Sequence, residues 1–260
     1  MKINLKHWVL LILWVGFSTS VFSQDNKEVL NVEYQVWSIE RQNFQTPSEE
    51  AYLLSIGKDF SAFYRIPPKQ FRKFKRYKNF TDSYMIYNGY PDRDHLTFWG
   101  TILEIPYKYT EPLPKLNWEI QDGDSVVCGY TCQKACTTFR GLTWTAWFSV
   151  DLPYSVGPWK LCGLPGLILK AYESEGNYCF NAVEIAKGGD KEVKTEFQRA
   201  KTVTPEWFAK EMIEYGKNPD QYEDDHGKAF KGTLIVNGVQ KTFHTDPWVP
   251  NLLEYFDEKK

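Results

Sequence analysis

The sequence predicts a mainly β fold (β-rich α+β), in which a curved antiparallel sheet meander packs against one or a few short helices. Three observations predict it. The 260 residues include 10 Trp, 16 Tyr and 17 Phe, and broad aromatic side chains pack well on a pleated surface. Most of the chain alternates apolar and polar residues with period two, whereas only one segment carries a full helix signature. Consecutive strands joined by tight turns form meanders rather than crossover-linked parallel sheets. No Pro/Gly/Ser linker, internal repeat or low-complexity tract interrupts the chain.

The elements follow in order. Residues 30–38 alternate Leu30, Val32, Tyr34 and Val36 against Asn31, Glu33, Gln35 and Trp37. Residues 51–56 and 60–66 read as a hairpin turned at Gly57-Lys58-Asp59, and residues 83–87, 96–104 and 116–121 continue the strand series. One long strand over 125–139 turns at Arg140-Gly141 into 142–150, where Leu142, Trp144, Ala146, Phe148 and Val150 share a face. Residues 167–173 and 178–186 form a further hairpin through Ser174-Glu175-Gly176-Asn177, and another strand is expected over 192–203. The helix starts at Thr204, a residue that caps, followed by Pro205 at the first helical position and Glu206 near the positive end. Phe208, Met212 and Tyr215 form its apolar stripe and Gly216 ends it. Shorter helices are expected over 70–77 and 250–256.

The N-terminus predicts a compartment. Lys2 and Lys6 precede an apolar run from Trp8 to Phe17, then the small-residue exit Val21-Phe22-Ser23 and Gln24-Asp25. A charged start, a short apolar core and a small residue before the cut describe a secretory signal peptide. The run is far shorter than the roughly 20 residues a membrane-spanning helix needs. Residues 1–23 are therefore expected to be removed. Residues 24–260 are expected as one soluble, exported domain, periplasmic or secreted, with no membrane span. Cleavage removes two of 31 basic side chains and none of 33 acidic ones, for a net charge near −4. That balance gives no reason to expect nucleic acid as a partner.

Residues 128–171 carry the most distinctive pattern. Cys128-Gly129-Tyr130-Thr131-Cys132-Gln133-Lys134-Ala135 precedes Ala146-Trp147-Phe148-Ser149, then Gly157-Pro158-Trp159 and the hexapeptide Gly163-Leu164-Pro165-Gly166-Leu167-Ile168. This order resembles the GLPGLI family of exported proteins typical of Bacteroidota. The resemblance implies export and a GLPGLI-type β-rich domain over 24–260, and it assigns no activity. Physically, Pro165 fixes its own φ and disfavours helix at Leu164, so Pro-Gly here fits a type II turn with Gly166 at φ > 0. That turn either shapes a backbone loop around a ligand or sets the register of the strand beginning at Leu167. It is no phosphate loop, because Leu167 stands where a Lys-Ser/Thr pair is needed.

The chain has five cysteines, Cys128, Cys132, Cys136, Cys162 and Cys179. On one strand, residues four apart lie about 13 Å from each other, too far for a disulfide. The first three are therefore not expected to pair among themselves unless a turn or bulge, such as one at Gly129, intervenes; their expected partners are Cys162 or Cys179, with Cys132–Cys162 the chosen link. Cys128, Cys132 and Cys136 repeat every four residues and form the alternative metal set, for copper, zinc or redox chemistry. Metal sites are usually built from closely grouped Cys and His, whereas His95, His226 and His244 stand singly. The leading expectation is no metal and no cofactor.

Two further clusters stand out in the sequence. Lys69, Arg72, Lys73, Lys75, Arg76 and Lys78 interleave with Phe71, Phe74 and Tyr77. They form either an anion or envelope-surface patch or an amphipathic turn with solvated charges. Trp144 and Trp147 fall on opposite faces of one strand by parity. With Tyr154 and Trp159 they are candidates to hold an apolar ligand, a glycan or a peptide, or else belong to a core covered on both faces. No G-x-S-x-G, HExxH or Walker motif occurs, and no catalytic residue is nominated. The expected function is that of an exported, periplasmic or envelope-associated, non-enzymatic binding protein. Its candidate site residues are Trp144, Trp147, Tyr154, Trp159, Gly163, Leu164, Pro165 and Gly166. The partner would be a small molecule, glycan, peptide or envelope component. A periplasmic thiol or metal protein is the alternative, and a hydrolase the third.

Overall fold

The computed structural model describes residues 28–38, 48–67, 69, 84–89, 92–189, 193, 200–226, 233–236 and 239–242. The signal segment 1–23, the helices expected over 70–77 and 250–256, and most of the strand expected over 192–203 lie outside the described residues. So does the basic cluster apart from Lys69, whose Nζ lies 2.7 Å from Glu184 Oε2.

Twelve strands form one open sheet. They are β1 (Glu28–Ser38), β2 (Ser48–Gly57), β3 (Phe60–Ile66), β4 (Tyr84–Gly89), β5 (Asp92–Ile102), β6 (Ile105–Pro112), β7 (Glu119–Val127), β8 (Tyr130–Phe139), β9 (Leu142–Ser149), β10 (Leu167–Glu173), β11 (Tyr178–Lys187) and β12 (Lys201–Thr202). Helices α1 (Pro205–Lys217) and α2 (Pro219–Asp225) follow, and β13 (Thr233–Val236) pairs with β14 (Val239–Thr242) as a separate ribbon. The sheet order is β12-β6-β5-β4-β3-β2-β1-β11-β10-β9-β8-β7. Two meanders therefore meet where β11 pairs with β1. The mainly β expectation is met. The sheet is antiparallel throughout except for the two-residue β12, which runs parallel to β6.

Strand alternation comes out as read at the centre. Val32, Tyr34 and Val36 are buried, as are Leu167, Leu169, Ala171 and Phe180. Thr204 caps α1 by accepting a hydrogen bond from the Trp207 backbone N–H at 3.1 Å. Phe208 of that helix packs against Phe98, Tyr107 and Tyr109, with ring centroids 5.1 to 6.3 Å apart.

Three strands differ from the sequence reading, two of them for one local cause. Residues 125–139 are two strands, not one, because Cys128 and Gly129 adopt φ of 49° and 84° and turn the chain between β7 and β8. Two successive positive φ values make the type I′ geometry whose twist matches paired strands. Leu103 and Glu104, at 50° and 63°, do the same between β5 and β6, so the strand expected over 96–104 ends at Ile102 and β6 follows. Neither Cys-Gly nor Leu-Glu is as strong a turn signal as Asn-Gly, and both turns were missed for that reason. The strand expected over 116–121 starts at Glu119 instead, because residues 113–118 serve as the connector from β6 to β7.

That connector shows that the sheet curls on itself. β6 and β7 lie ten strand positions apart, or about 48 Å in a flat sheet at about 4.8 Å per strand. The six residues between them span at most about 25 Å. Side chains close the same gap. Arg140, in the β8–β9 turn, places Nη2 2.6 Å from Glu111 Oε2 on β6, although eight to nine strand spacings separate them along the sheet. The inner face of this curl holds the main core, into which the β9–β10 loop inserts Leu152, Trp159, Leu161 and Leu164. A second, smaller core of Phe60, Ala62, Tyr64, Met85, Tyr87 and Trp99 covers the outer face of β3–β5 together with Val193.

Candidate functional site

The β9–β10 loop runs from Val150 to Gly166 and contains most of the GLPGLI pattern. Its backbone ties it inward: Leu167 N–H donates to Leu152 O at 2.9 Å, Ile168 N–H to Val156 O at 3.1 Å, and Gly163 N–H to Ser155 O at 3.2 Å. Tyr34, two strands away on β1, donates its hydroxyl to Ile168 O at 2.5 Å. That carbonyl is freed by the register shift between Ile168 and Lys170.

The two glycines of the hexapeptide have different tasks. Gly163 holds φ of 95°, a conformation side chains disfavour. Gly166 does not hold φ > 0, contrary to the type II turn expected there. A Cβ at Gly166 would lie 2.2 Å from Ser149 O and 2.6 Å from Ser149 C. The residue is glycine because the end of β9 passes too close for any side chain. Overpacking of this kind typically costs about 1–3 kcal/mol. We therefore expect Gly166→Ala and Gly166→Asn to lower the urea midpoint equally, while Gly163→Asn stays near wild type because Asn tolerates positive φ. A Gly166→Asn variant clearly more stable than Gly166→Ala would restore the turn explanation.

One wall of a cavity of about 480 Å³ is formed by this loop. Ser155, Val156, Gly157, Trp159, Leu161 and Gly163 line it from the loop, with Lys160 and Cys162. The connector contributes Leu113, Pro114, Lys115 and Leu116. The facing wall is the sheet, with Leu54 of β2, Ser61 and Phe63 of β3, Ile86 and Asn88 of β4, and Arg93 and Leu96 of β5. Trp118 pins the two loops together, its indole N–H donating to Cys162 O at 2.8 Å. Volumes in this range are typical of small-molecule sites, as is a mostly apolar lining with a few polar groups.

A buried charge cluster holds the loop in place. Lys160 Nζ is fully buried and ion-pairs with Glu111 Oε1 on β6. It also lies 3.3 Å from Tyr109 Oη and 5.2 Å from the centroid of that ring. Arg140 takes the other Glu111 oxygen. One carboxylate therefore joins two cations from the β9–β10 loop and the β8–β9 turn.

Of the eight candidate residues, Trp159 and Gly163 line the cavity. Trp144 is fully buried, its ring 5.2 Å from Trp159 and 6.1 Å from Phe180. Trp147 is half-buried on the opposite face, as parity requires, and Tyr154 is half-buried in the loop. Leu164 is core, Pro165 is exposed, and Gly166 packs on Ser149. Sequence reading missed the sheet wall of Leu54, Phe63, Ile86 and Leu96, and the cluster of Glu111, Arg140 and Lys160. One signal was present: Lys160 is a lone cation between Trp159 and Leu161 in an otherwise apolar run.

All five cysteines are free. The expected Cys132–Cys162 bond is not formed. Cys132 is buried in β8 with its thiol 3.5 Å from Tyr130 O, whereas the Cys162 thiol lies 3.6 Å from Pro114 O on the connector. The thiols of the alternative metal set are turned to other partners: Cys128 lies against Ala182 O and Cys136 against Thr145 Oγ1. Among the described residues no three His, Cys, Asp or Glu side chains are grouped to hold a metal ion. Burial pushes the Cys162 thiol up to about 11 and also raises Cys128, Cys132 and Cys179. These thiols stay protonated near neutral pH and are weak nucleophiles there. Among the described residues no helix is long and apolar enough to cross a membrane.

No curated protein matches the sequence. Among solved structures, PNGF-II in space group P21 is similar at 16% identity and a TM-score of 0.48, over 70% of this chain and 32% of that one. PNGF-II in space group C2 is similar at 18% identity and 0.47, over 80% and 34%. The chain thus spans about a third of the PNGF-II length. The LolA superfamily protein NE2245 from Nitrosomonas europaea follows at 8% identity and a TM-score of 0.26, over 61% of this chain and 86% of that one. Residues 137–170, which run from β8 through Arg140, Trp144 and the cavity-lining loop into β10, match a family described as a protein of unknown function (Porph_ging).

Proposed function

We propose that this chain is an exported, non-enzymatic binding protein of the GLPGLI kind, periplasmic or envelope-associated, that holds an apolar small molecule between the sheet and the β9–β10 loop. The cavity of about 480 Å³ carries the reading. At roughly 30 Å³ per non-hydrogen atom, the share of a water molecule in the liquid, it has room for about 16 such atoms. Among its described lining residues there is no His, Asp or Glu, the side chains that most often serve as general bases. Lys160 is held in an ion pair and the Cys162 thiol is protonated. The lining thus suits retention of a ligand better than chemistry on it.

The test is titration with the neutral fluorophore N-phenyl-1-naphthylamine. Saturable one-to-one binding is expected in the wild type, with loss in Val156→Trp, where the larger ring fills the cavity. Absence of saturable binding, or equal binding by that variant, would refute the site. Export is tested separately by intact mass of protein recovered from the native host. Cleavage between Ser23 and Gln24 is expected, and a chain retaining residues 1–23 would remove the export reading.

A further inference from the structure

The charged side chains among the described lining residues of the cavity all have one sign. Arg93, Lys115 and Lys160 line it, and no described lining residue is acidic. Two of these cations are already matched from outside the lining, Arg93 by Asp59 and Lys160 by Glu111. Lys115 differs. It is exposed, and among the described residues it has no ion-pair partner. Its chain neighbours Pro114 and Leu116 are themselves wall residues. One uncommitted cation thus stands beside an apolar wall, with Leu54, Phe63, Ile86 and Leu96 across the cavity.

From this arrangement we propose that the ligand is a single-chain amphiphile with an anionic head, its alkyl body against the sheet wall and its head at Lys115. The proposal rests on the binding reading above and adds the class of ligand. An apolar body removes both itself and the wall from water. The negative head stays near solvent, where Lys115 meets it at little desolvation cost. The size agrees: dodecanoate has about 14 non-hydrogen atoms, against the roughly 16 that the volume admits at about 30 Å³ each. A cationic head at the same place would meet Lys115, and like charges in contact are unfavourable.

Calorimetric titration of the mature protein with dodecanoate and dodecylammonium, each below its micelle concentration, and with dodecanol below its solubility limit separates the two levels of the reading. Dodecanoate should bind about two- to fivefold tighter than dodecanol, the range of a solvent-exposed ion pair, and dodecylammonium weakest. The advantage should shrink as salt is added. Lys115→Gln should abolish the preference for dodecanoate over dodecanol. Dodecanol binding as tightly as dodecanoate to the wild type would overturn the anionic head and leave the apolar site standing. Tighter binding of dodecylammonium would do the same. Failure of all three to bind would remove the site itself.

Discussion

Replacing Glu111 with Gln should destabilise the fold by about 3–5 kcal/mol, the usual consequence of breaking a buried ion pair by removing one partner. Glu111 joins Lys160 and Arg140 through its two carboxylate oxygens. Without it, a fully buried ammonium and a half-buried guanidinium lose the counter-charge they share across the closed gap of the sheet. Lys160→Met should cost less, about 2–3 kcal/mol, because Glu111 keeps its 2.6 Å contact with Arg140 and remains charge-matched. The order of the two effects is the sharp part of the prediction. The double variant Glu111→Leu/Lys160→Met should recover part of the loss, since an apolar pair can replace a buried ionic one. Urea unfolding of the three variants measures all of this. A Glu111→Gln loss under about 1 kcal/mol would mean that the cluster does not hold the curl closed.

Replacing Glu173 with Ala should also be severe, at about 3–5 kcal/mol, because it orphans several backbone donors at once. Glu173 is 2% exposed at the end of β10. Its carboxylate accepts from the backbone N–H of Glu175 at 2.5 Å, of Asn177, and of Tyr178 at 2.8 Å. Those donors define the turn that sets β11 against β10, and β11 is the strand through which the two meanders join at β1. Glu173→Gln retains one acceptor oxygen and should lose about half as much. Native-state hydrogen exchange should report the change locally, with the amides of Glu175, Asn177 and Tyr178 losing protection first in Glu173→Ala. Unchanged exchange at all three would show that the turn is held by other means.

Much of the architecture was legible because it is local. In β1, Val32, Tyr34 and Val36 are core exactly where alternation puts them, and the same holds for Trp144, Ala146 and Phe148 in β9. The helix was legible from its cap, with Thr204, Pro205 and Glu206 in sequence. What failed locally was turn chemistry of low contrast. Cys128-Gly129 and Leu103-Glu104 adopt paired positive φ without the Asn or Asp that usually marks such turns. β6 was hidden for a related reason: its inward positions run Tyr107, Tyr109, Glu111, and an inward carboxylate breaks the apolar alternation.

The candidate site was legible only in part. Trp159 and Gly163 belong to the loop pattern and reach the cavity, while the wall they face is contributed by β2–β5, about 60 to 110 residues earlier in the chain. Sequence alone determined a β-rich chain built of period-two strands, one capped helix and a strongly patterned β9–β10 loop. These depend on φ/ψ preference and side-chain parity, which neighbouring residues set between themselves. Tertiary structure alone decided that the sheet curls until Glu111 meets Arg140 and Lys160, that Gly166 is glycine for want of space rather than for a positive φ, and that the loop closes over a cavity. The physical reason is that each depends on which strands become neighbours across the curl, and period-two patterning is blind to that.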